Sequence, residues 1–218
     1  MIRLEMELIK ILFIGNSKTY RQNMSLIFKR LVEKSGRDID INKATKPGAS
    51  LLELYHETDT LKKINSTKWN YVIIQERTIK ALQEDISEFR DGAIKLCELI
   101  LKNNIDTKII YNACGVYSDF NREEYETTNN HYEQIAKITN GEVCYQGSAF
   151  IEFHSHFPEI ELYEDKQHPT FVGAYLSACC LYDTIYNRKS NEVEYFDVLN
   201  PKIAIDIQKV ADEVILRK

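Results

Sequence analysis

Ser17, Asp165 and His168 are the side chains whose types and settings could do covalent chemistry. Ser17 follows an apolar run, Ile11 to Ile14, that stops at Gly15-Asn16 within the stretch KILFIGNSKT. A buried strand ending this way sets a hydroxyl at the carboxyl edge of a sheet, where ligands of open α/β sheets bind. Asp165 and His168 stand in DKQHP, ahead of a segment that is apolar almost all round. A carboxylate in that position can accept a hydrogen bond from one imidazole nitrogen and leave the other to face a substrate. Hydroxyl, imidazole and carboxylate together perform acyl transfer through a covalent acyl-enzyme. Each stretch also has a plainer reading. Gly15-Asn16 can be a strand-ending turn with Ser17 capping the next helix, and DxxHP a helix-entry loop with a capping Asp and a solvated His.

The elements that must position these groups alternate along the chain. After the strand at Ile11–Ile14, Met24, Ile27, Phe28, Leu31 and Val32 form a helical stripe that Gly36 closes. Ile39 to Ala44 reads as a short edge strand. Lys46-Pro47-Gly48-Ala49-Ser50 is a tight turn, and a helix runs from Leu51 to about Lys63. WNYVIIQ, Trp69 to Gln75, has the consecutive bulky residues of a central strand covered on both faces, and it ends in the polar Gln75-Glu76-Arg77-Thr78. A long amphipathic helix spans Ile86 to Leu101, a strand Thr107 to Ala113, and a loop passes through Gly115, Tyr117 and Asp119. A mostly polar helix covers Arg122 to Thr139. A last strand at Glu142 to Tyr145, a short helix at Gly147 to His156, a buried helix at Thr170 to Tyr186 and a terminal helix at Lys202 to Leu216 complete the order. Pro169 is expected in the first turn of the buried helix. Helical crossovers between strands imply a parallel sheet with helices on both faces.

With 218 residues, one α/β domain over the whole chain is expected. A formal net charge of −5, with the 28 basic residues scattered, gives no footprint for nucleic acid. Cys97, Cys114, Cys144, Cys179 and Cys180 form no CxxC pair and read as small buried hydrophobes of a reducing compartment. Charges at Arg3, Glu5, Glu7 and Lys10 interrupt any signal-peptide core, and no segment is long and apolar enough to span a membrane. A cytoplasmic protein without nucleic-acid or membrane partners is the expectation. Oligomeric state is open. His154 and His156 lack convincing partners for a metal, and His131 reads as solvent-facing. Gly15 to Thr19 lacks the spacing of a phosphate loop.

Taken together, GNS after the first strand, PGAS after the second, a polar end to the third and DxxHP before a late helix resemble the block pattern of the SGNH (GDSL-like) hydrolase superfamily. GNS stands where GDS is commoner. The resemblance runs from Ile11 to about Tyr186. It implies a flavodoxin-like three-layer α/β/α sandwich around a parallel five-stranded sheet, acting as an esterase, deacetylase or related acyl hydrolase. By the same resemblance Ser17 is the nucleophile, His168 the general base and Asp165 its orienting acid. The backbone N–H groups of Ser17 and Gly48 face the oxyanion. The usual GxND of the third block is absent, and QERT stands there. Gln75 is the nearest chemical substitute for the missing Asn, because its amide can donate. Glu76 and Arg77 either bind a polar or charged substrate or form a salt-bridged loop. A small-molecule or glycan ester is the expected substrate, with no metal or organic cofactor required. O-acyl transfer, or a binding or scaffold role without catalysis, are the alternatives.

Overall fold

A computed structural model describes residues 8–114 and 117–217. The loop position at Gly115 and the charges at Arg3, Glu5 and Glu7 lie outside these residues. Five parallel strands form one sheet: β1 (Ile9–Gly15), β2 (Ile39–Thr45), β3 (Tyr71–Ile74), β4 (Lys108–Asn112) and β5 (Glu142–Cys144). Their order is β2-β1-β3-β4-β5, the flavodoxin-like order. The edge strand and the central strand are therefore the ones their residues predict.

Alternation along β1 builds both layers. Ile11 and Phe13 face a core shared with helices α2 (Met24–Lys34), α8 (Gln146–His156), α9 (Phe171–Tyr186) and α10 (Pro201–Leu216). Leu12 and Ile14 face the opposite core, shared with α3 (Leu51–Tyr55), α6 (Ser87–Asn103) and α7 (Arg122–Thr139). Both sets are fully buried, which is why the strand reads as a continuous apolar run. Helix α9 is buried from Gly173 to Ile185. Asp183 on α9 and Asp212 on α10 both accept from the Ser190 N–H, at 2.7 and 2.8 Å. Burial raises both carboxyl pKa values. Among the described residues no helix is long and apolar enough to cross a membrane.

Local chemistry moves several boundaries. The helix expected from Leu51 to Lys63 is two: α3 stops at Tyr55, and α4 covers Thr58–Ile64. Glu57 is extended between them (φ −79°, ψ 123°), while the His56 and Glu57 N–H groups turn back to Glu53 and Leu54. An additional short helix, α5 (Thr78–Leu82), follows QERT. Pro169 is not in the first turn of α9: Thr170 caps that helix, its hydroxyl accepting from the Gly173 N–H at 3.3 Å. Pro169 instead bridges Tyr163. His131 is only partly exposed: its Nδ1 lies 2.9 Å from the Ala81 carbonyl and joins α7 to α5. The five cysteines are buried and unpaired.

Candidate active site

The end of β1 turns into a single helical turn, α1 (Ser17–Tyr20). Asn16 is its N-cap, with Oδ1 accepting from the Lys18 N–H at 3.3 Å. Ser17 is thus the first helical residue and not the cap, and its hydroxyl is left for other work. Gly15 is required by close approach: a Cβ there would stand 2.3 Å from Thr19 Oγ1 and 3.0 Å from Gln75 Oε1. The Asn16 amide group donates to the Ala49 carbonyl at 3.2 Å and ties this turn to the PGAS turn.

His168 and Asp165 reach the same edge from the far end of the chain. The Ser17 hydroxyl lies 2.9 Å from His168 Nε2, and His168 Nδ1 lies 2.8 Å from Asp165 Oδ2. In the Nδ1–H tautomer the imidazole donates to Asp165 and accepts from Ser17. The other Asp165 oxygen accepts from the Gln167 and His168 N–H groups, both at 2.8 Å. The bond from His168, followed by these backbone donors, holds the Asp165 carboxyl far below the usual carboxylate range. The Glu164 N–H bonds to the His168 carbonyl at 2.8 Å and the Thr170 N–H to the Leu162 carbonyl at 2.9 Å. Those bonds close the loop on itself. Gly173 lets α9 sit against it, since a Cβ there would meet the Leu162 carbonyl oxygen at 2.4 Å.

Gly48 has φ +65° and nothing within 4 Å of where a Cβ would be. It lines one cleft with Ser17, Lys18, Arg77, Ile79 and Gln167. Among the described residues no acceptor binds the Ser17 or Gly48 N–H.

Gln75 does not stand where an oxyanion donor must. Its side chain is 1% exposed, and its Oε1 accepts from the Asn16 N–H at 3.2 Å and the Thr19 hydroxyl at 2.9 Å. Its amide nitrogen donates to the Glu76 carbonyl. The residue braces the Ser17 turn, buried, with its amide nitrogen bonded inside the chain. Glu76 also turns inward and is fully buried. Its carboxylate accepts from the Leu51 N–H at 3.2 and 3.3 Å and from the Arg77 N–H, and its own N–H donates to the Tyr132 hydroxyl at 2.9 Å. It is a structural tie between α3 and the end of β3, not a contact for substrate. Of the residues of QERT that were candidates for the site, Arg77 is the one that lines the cleft, with Nη1 donating to the Gly48 carbonyl at 3.1 Å. Lys18, Ile79 and Gln167 are cleft residues that the sequence did not single out. Adjacency to Ser17, QERT and His168 was the available signal.

Burial pushes the Glu76 carboxyl up to about 7, against the pull of its backbone donors. A carboxyl raised on folding stabilises the fold fully below its unfolded pKa, and that stability is lost as pH rises through the folded value. The window runs from about 4.5 to 7. At about 1.4 kcal/mol per unit, the loss is on the order of 3 kcal/mol. Urea midpoints of the wild type should fall from pH 5 to pH 8 more steeply than those of Glu76→Gln. A difference between the two proteins that stays constant with pH would contradict this account.

No family model matches this sequence, and no curated protein matches it either. Solved structures do match its fold. A DUF4886 family protein from Bacteroides uniformis superposes with a TM-score of 0.80 at 18% identity, over 97% of this chain and 96% of that one. A member of the lipolytic protein G-D-S-L family from Veillonella parvula gives 0.63 at 14% identity, over 84% and 100%. The acetyl xylan esterase AlAXEase gives 0.60 at 17% identity, over 81% and 100%. The fold is therefore that of the SGNH (GDSL-like) hydrolases, a three-layer α/β/α sandwich.

Proposed function

We propose that this chain is a serine esterase that removes a small acyl group from a carbohydrate or similar polar alcohol. The observation that most supports this is the Ser17–His168–Asp165 line, with hydrogen-bond distances of 2.9 and 2.8 Å. Side chains separated by 151 positions meet there in the order that acyl transfer requires. The ester names among the matching folds support the same reaction class; AlAXEase is an acetyl xylan esterase.

In the proposed cycle Ser17 Oγ attacks the ester carbonyl carbon as His168 Nε2 takes the hydroxyl proton. Asp165 keeps the imidazole in the Nδ1–H tautomer and stabilises it when charged. The oxyanion forms between the Ser17 and Gly48 N–H groups. Collapse breaks the bond to the alcohol oxygen, and His168 returns its proton to that leaving group. Water then attacks the acyl-Ser17, giving its proton to His168. Breakdown of the second intermediate releases the acid and restores the Ser17 hydroxyl. These steps require no metal or organic cofactor. With Gln75 committed elsewhere, two backbone donors carry the oxyanion, where one lost donor costs roughly 3–4 kcal/mol of transition-state stabilisation.

A fluorophosphonate probe tests the reading directly. The folded wild type should be labelled, with the adduct on the peptide containing Ser17, and should release acetate from acetylated sugars. No labelling of folded protein, or equal labelling of Ser17→Ala, would sink the assignment. Acetyl transfer to added sugars in preference to water would make it an acyltransferase instead.

A further inference from the structure

We infer that the Ser17 cleft takes a carboxylate-bearing ester, with Arg77 as the side chain that recognises the carboxylate. The inference rests on the esterase reading for what becomes of the ligand, but on its own observations for the charge. The chain carries 33 acidic and 28 basic residues, so excess positive charge at any one place is against the average. The described residues lining this cleft include Lys18 and Arg77 and no Asp or Glu.

Arg77 is held there without a carboxylate partner. Among the described residues no acidic side chain lies within ion-pair distance of its guanidinium. Glu76, its neighbour in sequence, turns inward and binds backbone N–H groups. One guanidinium nitrogen, Nη1, donates to the Gly48 carbonyl, which fixes the plane of the group beside the PGAS turn. Nε is buried and has no acceptor. An arginine offers five donors in a rigid fork, and this one uses a single nitrogen on the protein. A carboxylate is the ligand whose geometry matches the remainder. Lys18, half-buried next to Ser17, is a second basic side chain on the same wall; burial lowers its pKa, and the nearby Cys114 and Asp165 oppose that shift. A neutral sugar or alkyl ester can accept hydrogen bonds from these two side chains but has no charge to set against theirs.

Two matched ester pairs provide the test. One pair is 4-acetoxybenzoate and its methyl ester, with the charge on the leaving group. The other is mono-4-nitrophenyl succinate and its methyl ester, with the charge on the acyl group. In at least one pair kcat/KM for the anion should exceed that for its neutral twin about tenfold or more. The ratio should shrink in about 0.5 M salt. In that pair Arg77→Gln should lower the ratio at least about fivefold, whatever happens to the neutral rate, and Arg77→Lys should retain more of it than Arg77→Gln. Neutral twins favoured in both pairs, or a ratio unchanged by Arg77→Gln, would overturn the inference. Calorimetry on Ser17→Ala separates the two readings. It should bind the anion of the preferred pair more tightly than the methyl ester, and equal affinities in both pairs would overturn the inference. Selective binding of a carboxylate by Ser17→Ala, with no turnover of any of the four esters by the wild type, would leave the anion site standing and remove the esterase.

Discussion

Ser17→Ala is expected to lower kcat for a small acetyl ester by about 10⁴- to 10⁶-fold, with the fold intact. The size follows from the arrangement. The hydroxyl is the bond-forming atom, and neither of its partners can substitute for it. His168 Nε2 is aimed at Ser17 Oγ at 2.9 Å, and the Gly48 N–H has no other acceptor among the described residues. What survives the substitution is binding and oxyanion stabilisation, which speed attack by water only modestly. The fold should not suffer, because Ser17 is not the cap of its helix: Asn16 is. Circular dichroism and the urea midpoint should match the wild type while turnover disappears. A variant that keeps more than about one per cent of wild-type kcat would show that Ser17 is not the nucleophile.

Asp165→Asn is expected to have the next largest effect, a fall in kcat of about 10²- to 10⁴-fold with little change in KM. An amide at this position can offer its N–H₂ to His168 Nδ1 and so favour the tautomer that carries its proton on Nε2. That tautomer cannot accept the Ser17 proton. The Asp165 side chain is 53% exposed, so water screens part of its stabilisation of the charged imidazole, which places the loss toward the lower end. The two backbone N–H groups that bind its other oxygen keep the loop shape in the variant, so the melting temperature should change little. Asp165→Ala should be no worse than Asp165→Asn if tautomer control is the main role. A kcat within about threefold of wild type in Asp165→Asn would remove Asp165 from the mechanism.

The parts of this site that could be read without coordinates are those built by neighbours in sequence. Ile11 to Ile14 and Val72 to Ile74 are apolar without alternation because both faces of their strands are covered. GNS and DxxHP are visible because a strand end and a loop closure are made by residues a few positions apart. The β-α alternation pointed to a parallel sheet, since parallel strands need a long crossover connection and a helix is the usual one. The near-uniform apolarity of Phe171 to Tyr186 determined that this helix is buried.

Tertiary structure decided which polar groups are spent and which face the cleft. Gln75 has the chemistry of an oxyanion donor, but Asn16 and Thr19, 59 and 56 positions away, capture its oxygen and orient the amide inward. Glu76 was a candidate ligand until the Leu51 N–H, 25 positions away, claimed its carboxylate. Arg77 faces the cleft because the Gly48 carbonyl holds its guanidinium there. Pro169 bridges Tyr163 rather than starting α9. The physical reason is common to the three polar side chains. A side chain's type states which hydrogen bonds it can make, and leaving a buried donor or acceptor without one is costly, but the partner comes from whichever element the packing brings beside it. The sequence alone determined that a hydroxyl stands at the end of the first strand and that an imidazole and a carboxylate stand in the loop before a buried helix. Packing of the β1 and β3 ends against the loop before α9 decided that they meet, and left Arg77 beside them.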